Sequence, residues 1–200
     1  MDVFEALDSN RAMRRLKPDP VPRELLEKLV HAATRAPSAG NSQLWGFVVV
    51  TERDDMNFLA EIVQRRISTR GWPEGDEPHA RLMRAVRYLV THFQDVPAVI
   101  FCCVRDAYPN EQEPNSLFMW STIYPATQNL LLAARALGLG AAMTTFQISA
   151  EDEIKEYFGI PEDVHIASTI PIGYPMGKFG PLGRKPLDEV LHWGRWGGAA

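Results

Sequence analysis

Leu25, Leu26, Leu29, Val30 and Ala33 recur at helical spacing behind Pro22, so residues 22–34 read as an amphipathic helix whose first turn accepts the proline. The pattern then changes to the continuous apolar run of 46-GFVVVT-51, which predicts a strand. Helical spacing returns over 54–69 and 79–93, with the turn-rich segment 71-GWPEGDEPH-79 between them, and a second strand is predicted over 97–104. After the polar linker 105-RDAYPNEQEPNS-116 comes a long helical pattern, 117–137. Its Pro125 predicts a kink or a fresh start, because proline cannot donate to the preceding turn. Gly138 is placed to end that helix in the left-handed conformation. A short strand over 141–145, a helix near 150–158 and a β-branched run at 164–172 complete the series. Helices and strands mix without strict alternation. That order predicts a mixed β-sheet flanked by helices over a pure doubly wound parallel sheet.

The 200 residues suit one domain spanning 1–200, since 46% are apolar and a sizeable core can be buried. A net charge of −4 gives no electrostatic case for nucleic acid or an anionic membrane, so small molecules or protein are the expected partners. Cys102 and Cys103 are adjacent in a predicted strand, which sends them to opposite faces without a second thiol at useful spacing. Core packing in a reducing compartment is the simplest use for them. The N-terminal MDVFEALDSN is acidic and helical in pattern, unlike a signal peptide, and no apolar run approaches the roughly 20 residues that span a bilayer. The expected location is the cytoplasm.

Between Pro171 and Pro186 the sequence PIGYPMGKFGPLGRKP holds four prolines and four glycines, which predicts an extended arm rather than a helix or a central strand. Arg184 and Lys185 lie near its end. At the other end of the chain, 9-SNRAMRRLKP-18 places Arg11, Arg14 and Arg15 just past the first helical pattern. Such arginines read equally as solvated charge at element ends or as a phosphate grip, because the planar guanidinium matches two phosphate oxygens at once. The segment 138-GLGAAM-143 begins like a dinucleotide fingerprint, but the fingerprint needs a strand before it and a helix after it, and here that order is reversed. No phosphate loop, nucleophile elbow or paired-histidine zinc motif is present, and the five histidines are scattered, so no metal is expected. In 35-RAPSAGNSQLW-45, Pro37, Ser38 and Ala39 offer a thin backbone surface that a flat ring could approach, although the same residues are ordinary in turns.

Taken together, RAMRRL after a short helix, PVPRELLEKLVHAA, APSAGNSQLW, ATQNLLLAARALGLG and RKPLDEV resemble the FMN-dependent nitroreductase family over nearly the whole chain. The resemblance implies an α+β fold that is an obligate homodimer, with one FMN at each end of the interface and both subunits contributing to each site. It further implies that Arg11, Ala12, Met13, Arg14 and Arg15 hold the phosphate, ribityl chain and pyrimidine edge. Arg184 and Lys185 would complete the phosphate grip. Pro37, Ser38 and Ala39 would lie along the flavin of the other subunit, and the backbone of Thr144, Thr145 and Phe146 would approach its N5 and O4 edge. Asn10 stands where many relatives have arginine, Ala12 where many have serine and Leu44 where many have proline; the missing serine hydroxyl removes one FMN hydrogen bond.

The activity implied is alternation on one flavin, with NAD(P)H delivering a hydride and a small acceptor such as a nitroaromatic or quinone then taking its place. Chemistry of this kind belongs to the cofactor, so no side chain is needed as nucleophile or base. Arg14 is the cation read as offsetting negative charge at the reduced pyrimidine edge. The alternatives are a module that holds flavin or another phosphorylated ligand without turnover, and a dehalogenating or dehydrogenating enzyme of the same fold.

Overall fold

The computed structural model describes residues 1–67 and 71–198. Among these described residues, six helices and four strands follow one another as α1 (Val3–Ser9), α2 (Arg23–Ala33), β1 (Trp45–Val50), α3 (Arg53–Ile67), α4 (Pro78–Thr91), β2 (Ala98–Arg105), α5 (Ser116–Ala136), β3 (Gly140–Ala141), α6 (Glu151–Phe158) and β4 (Val164–Gly173), with short 3-10 turns between. The last two residues of the helix predicted over 54–69 fall outside the described residues.

The strands lie in the order β1-β2-β4-β3, and each neighbouring pair is antiparallel. The expected mixed sheet is therefore not formed by these strands. Two helices join β1 to β2, and the second returns the chain to the end where β1 finished, so β2 runs the other way. Of the strands consecutive in the chain, β2 and β3, joined through the long helix α5, run the same way, and β4 lies between them.

Helices cover both faces. Leu26, Leu29 and Ala33 of α2 and Ile123, Ala126 and Leu130 of α5 pack with Ala98, Ile100, Cys102 and Val104 of β2. On the other face Leu59, Ile62 and Val63 of α3 and Leu89 and Val90 of α4 pack with Val99, Phe101 and Cys103. The two cysteines thus do face opposite layers, as strand alternation requires. Between Cys102 and Cys103 the register of β2 against β4 slips by one residue. That bulge brings Ala167 into the same layer as Ile170 and Ile172 even though their parity differs.

Helix α5 passes through Pro125 without a fresh start, with Ile123 and Ala126 buried on either side of it. Gly138 ends the helix at φ +76°, a conformation that costs glycine little. Against expectation, Pro171 to Gly173 belong to the central strand β4 rather than to the arm. Thr169 and Thr144 exchange both backbone bonds, so Pro171, two residues on, turns its missing N–H to the same side. There β3 has already ended at Ala141, and no ladder bond is lost. The strand predicted over 141–145 is accordingly reduced to Gly140–Ala141 and the isolated Thr144 bridge.

Candidate flavin-phosphate site

The two ends of the chain meet over the β3 edge. Met13 N–H donates to Ala141 O at 2.9 Å and Lys17 N–H to Tyr174 O at 2.8 Å, while Met176 N–H returns a bond to Arg15 O at 3.0 Å. Met13 and Leu16 are buried beneath this crossing. With those two turned inward, Arg11 and Arg14 are left on the side of a cavity of about 440 Å³. The cavity is walled on one side by Asn10, Arg11, Ala12 and Arg14, and on the other by Pro181, Leu182, Gly183 and Arg184 of the arm. Leu131 of α5 and Ala141, Ala142 and Met143 form the floor.

No aspartate or glutamate lines this space. Among the described residues neither Arg11 nor Arg14 enters an ion pair, and Arg184 donates only to Gly183 O, at 2.9 Å. The half-buried Arg14 guanidinium has its pKa lowered, first by loss of hydration and then by the positive charge of Arg11. Three cations converging without a counter-charge form a receptor for an anion, and the guanidinium fork favours phosphate or carboxylate. Glycine makes the convergence possible: a Cβ on Gly140 would stand 2.9 Å from both Leu16 Cδ2 and Met13 Cβ.

The other residues named from the sequence lie around this cavity rather than in its wall. Met13 is buried beneath it, and Arg15 turns away to stack its guanidinium 4.8 Å from the Tyr88 ring centroid. Lys185 is exposed, with its Nζ 3.9 Å from Glu189 Oε2. Thr144 is held to Thr169 by backbone bonds and by its hydroxyl at 2.6 Å. Phe146 packs its ring against the core, edge-on to Phe93.

Pro37, Ser38 and Ala39 do not line the cavity of their own chain. Their loop is fixed instead by Ala39 N–H to Thr122 Oγ1 at 3.1 Å and by Gln43 N–H to Ser38 Oγ at 3.1 Å. Gly40, Asn41 and Gln43 all adopt φ between +52° and +56°. Pro37 is exposed.

The model of the nitroreductase family matches residues 7–174. The chain belongs to the nitroreductase family. It is 33% identical over 199 residues to a protein of Methanothermobacter thermautotrophicus provisionally named NADH dehydrogenase/NAD(P)H nitroreductase, covering 98% of this chain and 88% of that one. Against the Thermus thermophilus NADH dehydrogenase it is 30% identical over 200 residues, covering 96% of each. Among solved structures, a variant of an FMN- and NADPH-dependent nitroreductase from Sphigopyxis sp. strain HMH superposes with a TM-score of 0.75 at 21% identity, covering 98% of this chain and 100% of that one. This last likeness is one of fold.

Within this nitroreductase-family chain, sequence reasoning missed Leu131, Ala141, Ala142, Met143 and the backbone of 181–183 as cavity lining. Apolar and small residues carry no chemical signature of their own, and the Met13–Ala141 bond that assembles them joins positions far apart in sequence. Asn10 carried a visible signal, since it continues the cationic run RAMRR on its N-terminal side.

Proposed function

We propose that the chain is an FMN-dependent oxidoreductase that takes a hydride from NAD(P)H and passes reducing equivalents to a small acceptor, such as a nitroaromatic or a quinone. The observation that carries this reading is the convergence of Arg11, Arg14 and Arg184 on one cavity without a carboxylate. Its volume of about 440 Å³ lies within the ordinary range of small-molecule sites.

FMN, when bound, supplies the hydride-accepting and electron-donating chemistry. The residues supply position and charge. Arg11 and Arg184 hold the phosphate from its two sides, and Lys185, exposed beside Arg184, completes the grip on exchanging its distant contact with Glu189. Arg14, the more buried cation, offsets negative charge at the pyrimidine edge, where low hydration strengthens its field. Ala12, Ala141 and Ala142 leave room for the ribityl chain, and Leu131 keeps water from its inner side. The backbone of Thr144, Thr145 and Phe146 borders the far edge of the ring.

The ring wall comes from a second copy, whose Pro37, Ser38 and Ala39 present the loop that does not line the arginine cavity of its own chain. Support for that second copy comes from exposed apolar side chains on three segments: Val3, Phe4 and Leu7 of α1, Leu117 and Tyr124 of α5, and Leu187, Val190, Trp193 and Trp196 of the tail. Trp196 alone is 92% exposed. Exposed apolar side chains on these segments favour association.

Anaerobic addition of NADPH or NADH to the FMN-loaded protein tests the reading. Bleaching of the yellow colour, followed by its return on adding a nitroaromatic or quinone, is the expected course; a flavin colour that persists would mean a binding module. Including a halogenated phenol among the acceptors distinguishes a dehalogenating reaction, the activity named for the Danio rerio iodotyrosine deiodinase, which is 23% identical over 194 residues.

A further inference from the structure

Arg135, in the last turn of α5, makes two contacts that join the opposite walls of the cavity. Its Nε donates to Ser9 Oγ at 2.9 Å, and its Cζ lies 4.2 Å from the ring centroid of Phe179. Ser9 immediately precedes Asn10 and Arg11, while Phe179 stands two residues before Pro181, where the arm begins to line the cavity. The Ser9 hydroxyl is engaged in both directions, donating to Glu5 O at 2.5 Å while accepting from Arg135. Phe179 is anchored as well, partly buried against the hydrophobic cluster that includes Met13 and Leu16. Arg11 runs past this junction, its Nη1 only 3.9 Å from where a Cβ on Gly180 would stand.

Both partners of Arg135 are electrically neutral, a hydroxyl oxygen and the face of an aromatic ring. The contacts hold the side chain in place without cancelling its charge. The C-terminal end of α5 makes that position favourable for a cation. The two walls carry like charges, Arg11 and Arg14 on one and Arg184 on the other, and repel each other when no anion lies between them. Backbone bonds join the two segments at Arg15–Met176 and Lys17–Tyr174, and Arg135 adds a side-chain tie beyond them, at Ser9 and Phe179.

We propose that Arg135 is a positioning residue that clamps the N-terminal cationic segment to the C-terminal arm and so sets the spacing of Arg11 and Arg184 around the flavin phosphate. The proposal rests on the FMN reading of this cavity. Its signature is selective: loss of the clamp weakens ligands that carry the phosphate and leaves a flavin without phosphate nearly unaffected.

The test compares equilibrium affinities for FMN and riboflavin in the wild type, Arg135→Met, Arg135→Lys and Phe179→Leu. The wild type is expected to prefer FMN. Arg135→Met lowers FMN affinity by on the order of tenfold or more, the scale of one lost charged hydrogen bond, with riboflavin affinity changed much less. Arg135→Lys, which keeps a cation over Phe179, restores part of the preference. Phe179→Leu keeps apolar bulk but removes the ring face, and reproduces part of the loss even if Arg135→Met does not fold. A wild type that binds riboflavin as tightly as FMN overturns the phosphate-site reading and the clamp with it. A wild type that prefers FMN, alongside folded Arg135 or Phe179 variants with the same preference, overturns the clamp alone.

Discussion

Gly140 lies directly beneath Leu16: a Cβ on the glycine would meet Leu16 Cδ2 at 2.9 Å, and Met13 Cβ at the same distance. The cationic segment reaches its place because β3 begins with a residue that has no side chain. Gly140→Ala should therefore lift the segment and move Arg14 out of register with Arg184. Overpacking of this kind costs about 1–3 kcal/mol, a fall of a few degrees in thermal midpoint for a chain of this size. Thermal melts with and without FMN would show it as a lower midpoint and a smaller stabilisation by FMN. A variant that keeps the wild-type increment would show that the crossing does not position the site.

Arg14 should be a liability to the empty protein. Its lowered pKa records that its charge is disfavoured by burial and by Arg11, so Arg14→Met, which keeps the apolar stem, should leave the urea midpoint of the cofactor-free protein unchanged or raise it. The same variant should lose most of the stabilisation conferred by FMN. A marked drop in cofactor-free stability would mean that Arg14 holds the fold rather than the ligand.

Stability should decline at alkaline pH through Cys103. Burial pushes its pKa from 9.0 up to about 12, with Cys102 and Glu151 adding to the rise. Below pH 9 the thiol is protonated whether the chain is folded or unfolded, and it contributes no pH dependence. Between about 9 and 12 the unfolded chain releases a proton that the folded chain retains, so folding loses free energy as pH rises. Comparing urea midpoints at pH 8 and 10.5, Cys103→Ala should lose less stability over that interval than the wild type. Equal losses would assign the alkaline decline to other groups.

Much of the fold was legible because burial dictates periodicity. α2, β1, β2, α6 and β4 each lie within a residue or two of where apolar spacing placed them. Strand direction was not legible, since nothing in the spacing of α3 and α4 says that the pair carries the chain back to the end where β1 finished. Pro171 misled for a related reason: a proline bars a central strand only where its N–H would be needed, and that depends on β3 having ended. Within the site, the arginines were visible by residue type. Which of them converge was not, because Arg14 and Arg15 differ only in which way the crossing turns them, one into the cavity and the other onto Tyr88.

The C-terminal tail should matter to assembly more than to the fold of one chain. From Leu187 to Gly198 no side chain is buried, so removing residues after Pro186 exposes no core while leaving Arg184 and Lys185 in place. The shortened chain should keep its circular dichroism spectrum but dissociate at higher protein concentration in sedimentation, with FMN affinity falling in step as the second copy's loop is lost. Unchanged association would show that α1 and α5 suffice.

The account stands on Arg14 and Arg184, from opposite ends of the chain, gripping the same ligand. FMN titrations of the wild type, Arg14→Met, Arg184→Met and the double variant test this directly. Each single change should weaken FMN by about 1.5–3 kcal/mol, the value of a hydrogen bond to a charged group. The double change should depart from the sum by about 0.5 kcal/mol or more, because the two side chains share one partner. Arg184→Met binding FMN with wild-type affinity would contradict the account.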